Sequence, residues 1–276
     1  MNDVVNGVQK TSVAASVRRE PKEDAFVARG SVVRKIWGDP EIVLLVFAGL
    51  AAEFALNRAV DWLFFTGRIP KDPVGRLFST VRYAREIVFA EEETARRTLG
   101  RINAAHAAVE ASRGGTIPEW AFRDVLYMLV DYSERAHRML YGPLSRTERG
   151  ELYAVFKRVG EGLNVKKLPE DYERWRADRR AHLERDLAYS RHTALLYDSY
   201  KQHLGVWRFR LLLEVQALLV PERVQRLLRL RRRALFSTAV DVYAALPVPG
   251  LRPLLRRLLL QPRYWGEVAE LERTPV

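Results

Sequence analysis

Asp72-Pro-Val-Gly-Arg-Leu-Phe-Ser-Thr80 opens a segment that runs through Val88-Phe89 to Arg101-Ile-Asn-Ala-Ala-His106-Ala-Ala-Val109, and its periodicity decides the fold. Asp72 suits a helix N-cap, and Pro73 suits the first helical position, where a missing N–H costs nothing. Leu77, Val81, Ala84 and Val88 then recur at four-three-four spacing, which is one apolar helix face. Arg76 and Thr80 stand one turn apart on a neighbouring stripe, so a guanidinium and a hydroxyl can address the same object. A second helix follows from about Glu92, with Leu99, Ile102, His106 and Val109 inward. His106 takes a position that usually holds leucine, and alanines 104, 105, 107 and 108 leave the backbone around it bare. A flat, bulky ligand can approach closely there. The same spacing also fits a satisfied core histidine, a buried Arg76 ion pair and a Thr80 hydroxyl bonded back to its own helix.

Outward from this segment the signals remain helical. Asp39-Pro40 opens a helix that can extend to Phe65. Thr66-Gly67 and Pro70 stop it, and Gly114-Gly115 closes the helix carrying His106. Thr116-Ile-Pro-Glu119 and Ser145-Arg-Thr-Glu148 have the capping-box pattern. Between and after them, Val125, Leu129, Tyr132, Ala136 and Leu140 form one apolar face, and Leu152, Val155, Val159 and Leu163 form the next. Pro169 starts a further helix that runs past Leu187. Thr193–Val220 reads as one long helix or two joined at Gly205. Pro221-Glu222 begins an Arg-rich helix ended by Pro247, Pro249 and Gly250, and a short Leu/Arg helix closes the chain. Period-two alternation of β-branched residues is missing. The expected fold is all-α, one globular bundle of about nine to eleven helices over residues 29–272. Residues 1–28, a polar and charged mixture with no hydrophobic period, read as a mobile N-terminal arm.

Composition narrows the chemistry. The 276 residues hold no cysteine, which excludes disulfides, Cys-ligated zinc, iron–sulfur clusters and thiolate-ligated haem. The formal charge is +12. Arg223, Arg226, Arg229 and Arg231–Arg233 are its densest group. Such a patch can meet phosphates of nucleic acid or acidic lipid, or be a solvated face whose long side chains cover apolar surface. The strongest apolar run, Ile42–Ala52, stops at Glu53 and is too short to span a bilayer. No apolar stretch follows Arg18-Arg19 as an export signal needs. A cytoplasmic protein is expected, with peripheral contact to acidic membrane open to it and no specific nucleic-acid partner.

Other constellations carry less. Glu134-Arg-Ala-His137 has the spacing used twice in di-iron carboxylate bundles. There is no second Glu-x-x-His, and Asp178 and His182 are four apart, so a surface pair near a helix end is the reading. Asp131 can bond the far ring nitrogen of His106, or pair with Arg135 or another core arginine. Glu53 and Asp61 are candidates for a pocket acid or base, or for partners of Arg58.

The segment Asp72–Val109 resembles the rubber oxygenases (latex-clearing proteins) and MpaB-type oxygenases, in which an Arg-x-x-x-Thr helix precedes a helix bearing a histidine. Here that pattern is Arg76-Leu-Phe-Ser-Thr80 followed by His106. The likeness extends more weakly from Gly30-Ser-Val-Val-Arg-Lys-Ile-Trp-Gly-Asp-Pro40 to Gly142-Pro-Leu-Ser-x-x-Glu148, and loosely to the C-terminus. It implies an all-helical protein binding haem b (iron), with His106 as the axial metal ligand. Arg76, Ser79 and Thr80 would line the pocket as catalytic and cofactor-binding groups, and Asp131 would support His106. The implied reaction is that of a haem-dependent oxygenase joining dioxygen to an apolar, isoprenoid- or lipid-like substrate. Rubber-cleaving members carry a lysine directly before the Thr, where this chain has Ser79. Many relatives have a His-Pro pair and a later histidine in the preceding helix, whereas Ala51–Thr66 has none. Rubber is therefore not the expected substrate. Two other readings stand beside this one: a haem-binding member without turnover, and a non-catalytic helical protein that binds acidic lipid or nucleic acid through the Arg-rich face.

Overall fold

Pro40–Phe54 is the most apolar helix of the chain, and it starts where Asp39 accepts hydrogen bonds from the backbone N–H groups of Glu41 (2.8 Å) and Ile42 (3.1 Å). In the computed structural model, which describes residues 25–65 and 72–233 with scattered residues beyond, it follows the short helix α1 (Val32–Gly38) and is numbered α2. Its long apolar run is buried as a core helix, and among the described residues no helix is long and apolar enough to cross a membrane. The remaining helices are α3 (Val60–Phe65), α4 (Pro73–Phe89), α5 (Glu92–Arg113), α6 (Glu119–Tyr141), α7 (Arg146–Gly162), α8 (Tyr172–Arg185), α9 (Arg191–Leu204), α10 (Val206–Leu219) and α11 (Glu222–Leu228). The described residues form an all-helical globular domain with eleven helices, at the upper end of the expected range.

The centre is the pair α2 and α6, the most extensive helix contact of the fold. Almost every residue of α6 from Asp124 to Glu134 is buried, the signature of a helix enclosed on all sides. Gly49 of α2 lets the two backbones close up, because a Cβ there would lie 2.2 Å from Cδ1 of Tyr132. Helix α10 packs on one flank of the pair with α9 behind it, while α7 and α8 cover the other. Helices α4 and α5 form a hairpin at the edge, held by α1, α7 and α9. One hydrophobic cluster runs from Phe26 to Val224, with Trp37, Trp175, Tyr127 and Phe156 among its largest buried side chains.

Several expected ends hold and others move. Asp72 accepts from the N–H of Gly75 at 2.9 Å, and Ser145 and Glu148 form a reciprocal capping box. Gly205, at φ 78°, separates α9 from α10. The helix expected to continue to Phe65 instead breaks after Phe54. There the chain turns to meet another segment: Arg58 N–H donates to Asp186 O (2.9 Å) and Ala188 N–H donates to Leu56 O (2.8 Å). These tertiary bonds replace the intrahelical ones. For the same reason α8 stops at Arg185, short of the expected continuation past Leu187. No capping box forms at Thr116, since the N-cap is Pro118 and Glu110 supplies the acceptor for Ile117 N–H at 2.8 Å. The Arg-rich helix ends at Leu228. Arg229 takes a left-handed φ of 54°, and Leu230 N–H closes back on Gln225 O at 3.0 Å. The N-terminal arm up to residue 24, the breaks at Thr66-Gly67 and Pro70, and the expected closing helix near residues 251–260 lie outside the described residues.

Candidate functional site

The α4–α5 hairpin carries the residues singled out from the sequence. Val74, Phe78 and Val81 are buried on the inner stripe of α4, with Ser79 and Thr80 half-buried beside them. Arg76 lies on the same helix, and its side chain is outside the described residues. Glu86 of α4 accepts from the Thr98 hydroxyl of α5 at 2.7 Å and also pairs with Arg101, which fixes the antiparallel register. Carried along both helices at about 1.5 Å per residue, that register sets His106 level with Ser79 and Thr80.

His106 is half-buried, unlike Leu99 two turns earlier on the same stripe, which is 3% exposed. Its ring lies against Phe122 of α6, with centroids 5.0 Å apart and planes inclined at 55°. Alanines 104, 105, 107 and 108 are exposed around it. The imidazole is thus half-buried against an aromatic ring, with exposed alanines on both sides of it in the helix.

On the inner side of α4 lies an apolar cavity of about 110 Å³. Val74 and Phe78 form its α4 wall, Phe47, Ala48 and Ala51 its α2 wall, and Tyr200 of α9 closes one end. Apart from the Tyr200 hydroxyl, which reaches Ala51 O at 3.4 Å, the lining presents hydrocarbon. The inner stripe of the Arg-x-x-x-Thr helix thus forms one wall of an apolar cavity.

Asp131 does not belong to this arrangement. It lies nine residues beyond Phe122 on α6, about 13 Å of helical rise, and both its oxygens are engaged. Oδ1 accepts from Arg135 at 2.7 Å, and Oδ2 accepts from Arg179 at 3.0–3.1 Å. The expected bond to His106 is replaced by the core arginine pairing. Burial alone would raise the Asp131 pKa, but Arg135 and Arg179 outweigh it and hold the carboxyl below its ordinary value. Glu53, considered as a pocket acid, accepts both ends of the Arg179 guanidinium and the Tyr132 hydroxyl (2.8 Å). Asp61 pairs with Arg113 at 2.8 Å. Glu134 is buried, accepting from Tyr172 (2.6 Å) and Arg138 (2.9 Å), while His137 Nδ1 meets Gly142 O at 3.0 Å. Each of these acids is a structural partner.

The basic patch is partly neutralised from within the fold. Arg223 and Arg226 approach Glu184 at 3.3 and 3.7 Å, Arg233 approaches Glu214 at 3.1 Å, and Arg232 donates to Ala217 O at 3.1 Å.

A second constellation had no counterpart in the reading of the sequence. Asp124 of α6, His182 of α8 and Asp186 just after α8 converge in the core, each at most 4% exposed. The signal that could have revealed it is Asp178-x-x-x-His182-x-x-x-Asp186, three ligand-type residues on one helical stripe.

Fold and hairpin together define an all-helical protein with a hydrocarbon-lined cavity against α4 and a half-buried histidine on α5. The model of the family described as ER-bound oxygenase mpaB/B'/Rubber oxygenase, catalytic domain, matches residues 34–248, and the chain belongs to that family. No curated protein and no solved structure gives a significant match.

Proposed function

We propose that this chain is a haem-b-dependent oxygenase acting on an apolar, isoprenoid- or lipid-like small molecule. Membership of an oxygenase family supports the reaction class. The observation that carries the cofactor reading is the position of His106, half-buried against Phe122 and flanked by exposed alanines. A neutral imidazole suits an iron porphyrin, and small flanking residues leave its plane free to approach the helix.

His106 would hold the iron, with Phe122 fixing the tilt of its ring. Arg76 would pair with a propionate, since a guanidinium stays charged and makes forked bonds. Ser79 and Thr80, level with His106 on the facing helix, would donate hydroxyl hydrogen bonds toward the same group. When bound, haem supplies the activation of dioxygen; the chain supplies ligand, polarity and access. The apolar cavity at Val74 and Phe78 would take the hydrocarbon end of the substrate and keep water from it. Asp131 has no part in this site. With serine at position 79 the chain lacks the distal lysine of rubber-cleaving members, which argues for a substrate other than rubber. The non-catalytic reading through the Arg-rich face loses weight because Glu184 and Glu214 already pair with three of its arginines.

The visible spectrum of protein purified after expression with added haem tests the proposal. A Soret band is expected, lost in His106→Ala with the far-ultraviolet circular dichroism unchanged. A colourless wild-type protein, or an equal band in the mutant, overturns it. Oxygen consumption with long-chain alkenes or isoprenoids then separates an oxygenase from a haem-binding member without turnover.

A further inference from the structure

Asp124, His182 and Asp186 bring three metal-ligand side chains together in the core, on α6 and at the end of α8. The Nδ1 atom of His182 faces two carboxylates at once: Oδ1 of Asp124, in very short contact, and Oδ2 of Asp186 at 3.1 Å. One ring nitrogen carries at most one hydrogen, so it can satisfy one of these oxygens and not both. Asp178 adds a third carboxylate, 3.6 Å from Nε2. Asp178 is partly exposed, while Arg185 forks onto both oxygens of Asp186 and its Nη2 lies 3.2 Å from Nε2 of His182. Two carboxylates buried side by side are costly unless cations offset them.

We propose that Asp124, His182 and Asp186 bind a divalent first-row transition metal ion, zinc(II) or manganese(II) in class, that staples α6 to the end of α8. One imidazole nitrogen and two carboxylate oxygens make a nitrogen–oxygen donor set suited to such ions. Ligands held about 2.0–2.2 Å from one tetrahedral ion sit roughly 3.4 Å apart; Asp186 Oδ2 is already 3.1 Å from Nδ1 of His182, and Asp124 Oδ1, now in direct contact with that nitrogen, must draw back to admit the ion. The outward-facing atoms are held in the manner metal ligands usually are. Asn57 donates to the other oxygen of Asp124 at 2.7 Å, Arg185 Nε donates to Oδ1 of Asp186 at 2.7 Å, and Asp178, anchored by the Tyr127 hydroxyl at 2.7 Å, faces the far ring nitrogen. Because all three ligands are buried, the ion's role is structural: it closes the contact at which the break after α2 meets the end of α8. His106 takes no part in it, so this inference is independent of the haem proposal.

The full-length protein, stripped with a chelator and dialysed, is titrated with zinc(II) or manganese(II), with bound metal read by atomic emission and stability by thermal unfolding. One equivalent of one of these ions per chain is expected, with a midpoint several degrees higher than the stripped protein. Asp186→Asn should abolish binding, Asp178→Asn should weaken it 10–100-fold, and His106→Ala should leave it intact. Wild-type protein that binds neither ion and unfolds at the same temperature with and without them overturns the site. So does equal binding by Asp186→Asn. Should Asp186→Asn fail to fold, the wild-type titration and Asp178→Asn decide.

Discussion

The Arg179 guanidinium lies flat against the Glu53 carboxylate, Nη1 on Oε1 at 2.5 Å and Nη2 on Oε2 at 2.6 Å, with 4% and 1% of the two side chains exposed. The pair joins α8 to α2, and the same guanidinium also bonds Asp131 of α6, so one side chain ties three helices together. Removing either partner strands a buried charge. Glu53→Ala or Arg179→Ala should each lower stability by about 3–5 kcal/mol, measured by urea unfolding. The double variant Glu53→Leu/Arg179→Met should lose less than the two single losses combined, because no Glu53 carboxylate is then left unpaired.

The Asp131 carboxyl gives this network an acid limit. Its folded pKa lies below the ordinary 3.8, since Arg135 and Arg179 overcome the cost of burial. A depressed carboxylate contributes stability that is fully present above its unfolded pKa and fades as pH falls through the folded one. Stability should therefore drop more steeply below about pH 4 in the wild type than in Asp131→Asn. Matching acid limbs in the two proteins would contradict the assignment.

Two glycines should respond in opposite directions to alanine. At Gly49 the new methyl meets the Tyr132 ring, which cannot swing away because its hydroxyl is bonded to Glu53. Overpacking of about 1–3 kcal/mol should outweigh the helix-propensity gain of roughly 1 kcal/mol. Gly100 on α5 has open space where its Cβ would go, so Gly100→Ala should stabilise by about 0.5–1 kcal/mol. Denaturant midpoints of the two variants check the contrast.

Filling the hydrocarbon cavity tests what it is for. Ala48→Leu adds carbon atoms to a space of about 110 Å³ and should stabilise the fold by about 0.5–2 kcal/mol. If the apolar end of the substrate lies there, the variant should raise KM for a long-chain substrate while leaving the Soret band in place.

Local chemistry read the helices well and tertiary chemistry poorly. Asp72, Asp39 and Ser145 announce helix starts because their caps involve neighbours within three residues. The break after Phe54 was not legible: its cause is Leu56 and Arg58 bonding to a segment some 130 residues later. His106 stood out through its alanine neighbours, but its half-exposed position depends on how α5 lies against Phe122. Asp131 was correctly open to an arginine partner, since carboxylates on a buried helix need a cation, and only the fold shows that Arg179 is one of them. Asp124 and His182 come from segments 58 residues apart, and no spacing rule connects them.

The three-helix clasp at Arg179 also constrains synthesis. The ribosome delivers Glu53 well before Arg179, so α2 emerges carrying an acid destined for the interior whose guanidinium is not yet made, whereas Asp131 already has Arg135 on its own helix. Docking α2 early would strand the Glu53 charge, which favours a loosely assembled amino-terminal half until α8 leaves the exit tunnel. Completion of this protein is set by the arrival of one late arginine, which makes the long interval before it the period when chaperone protection matters most.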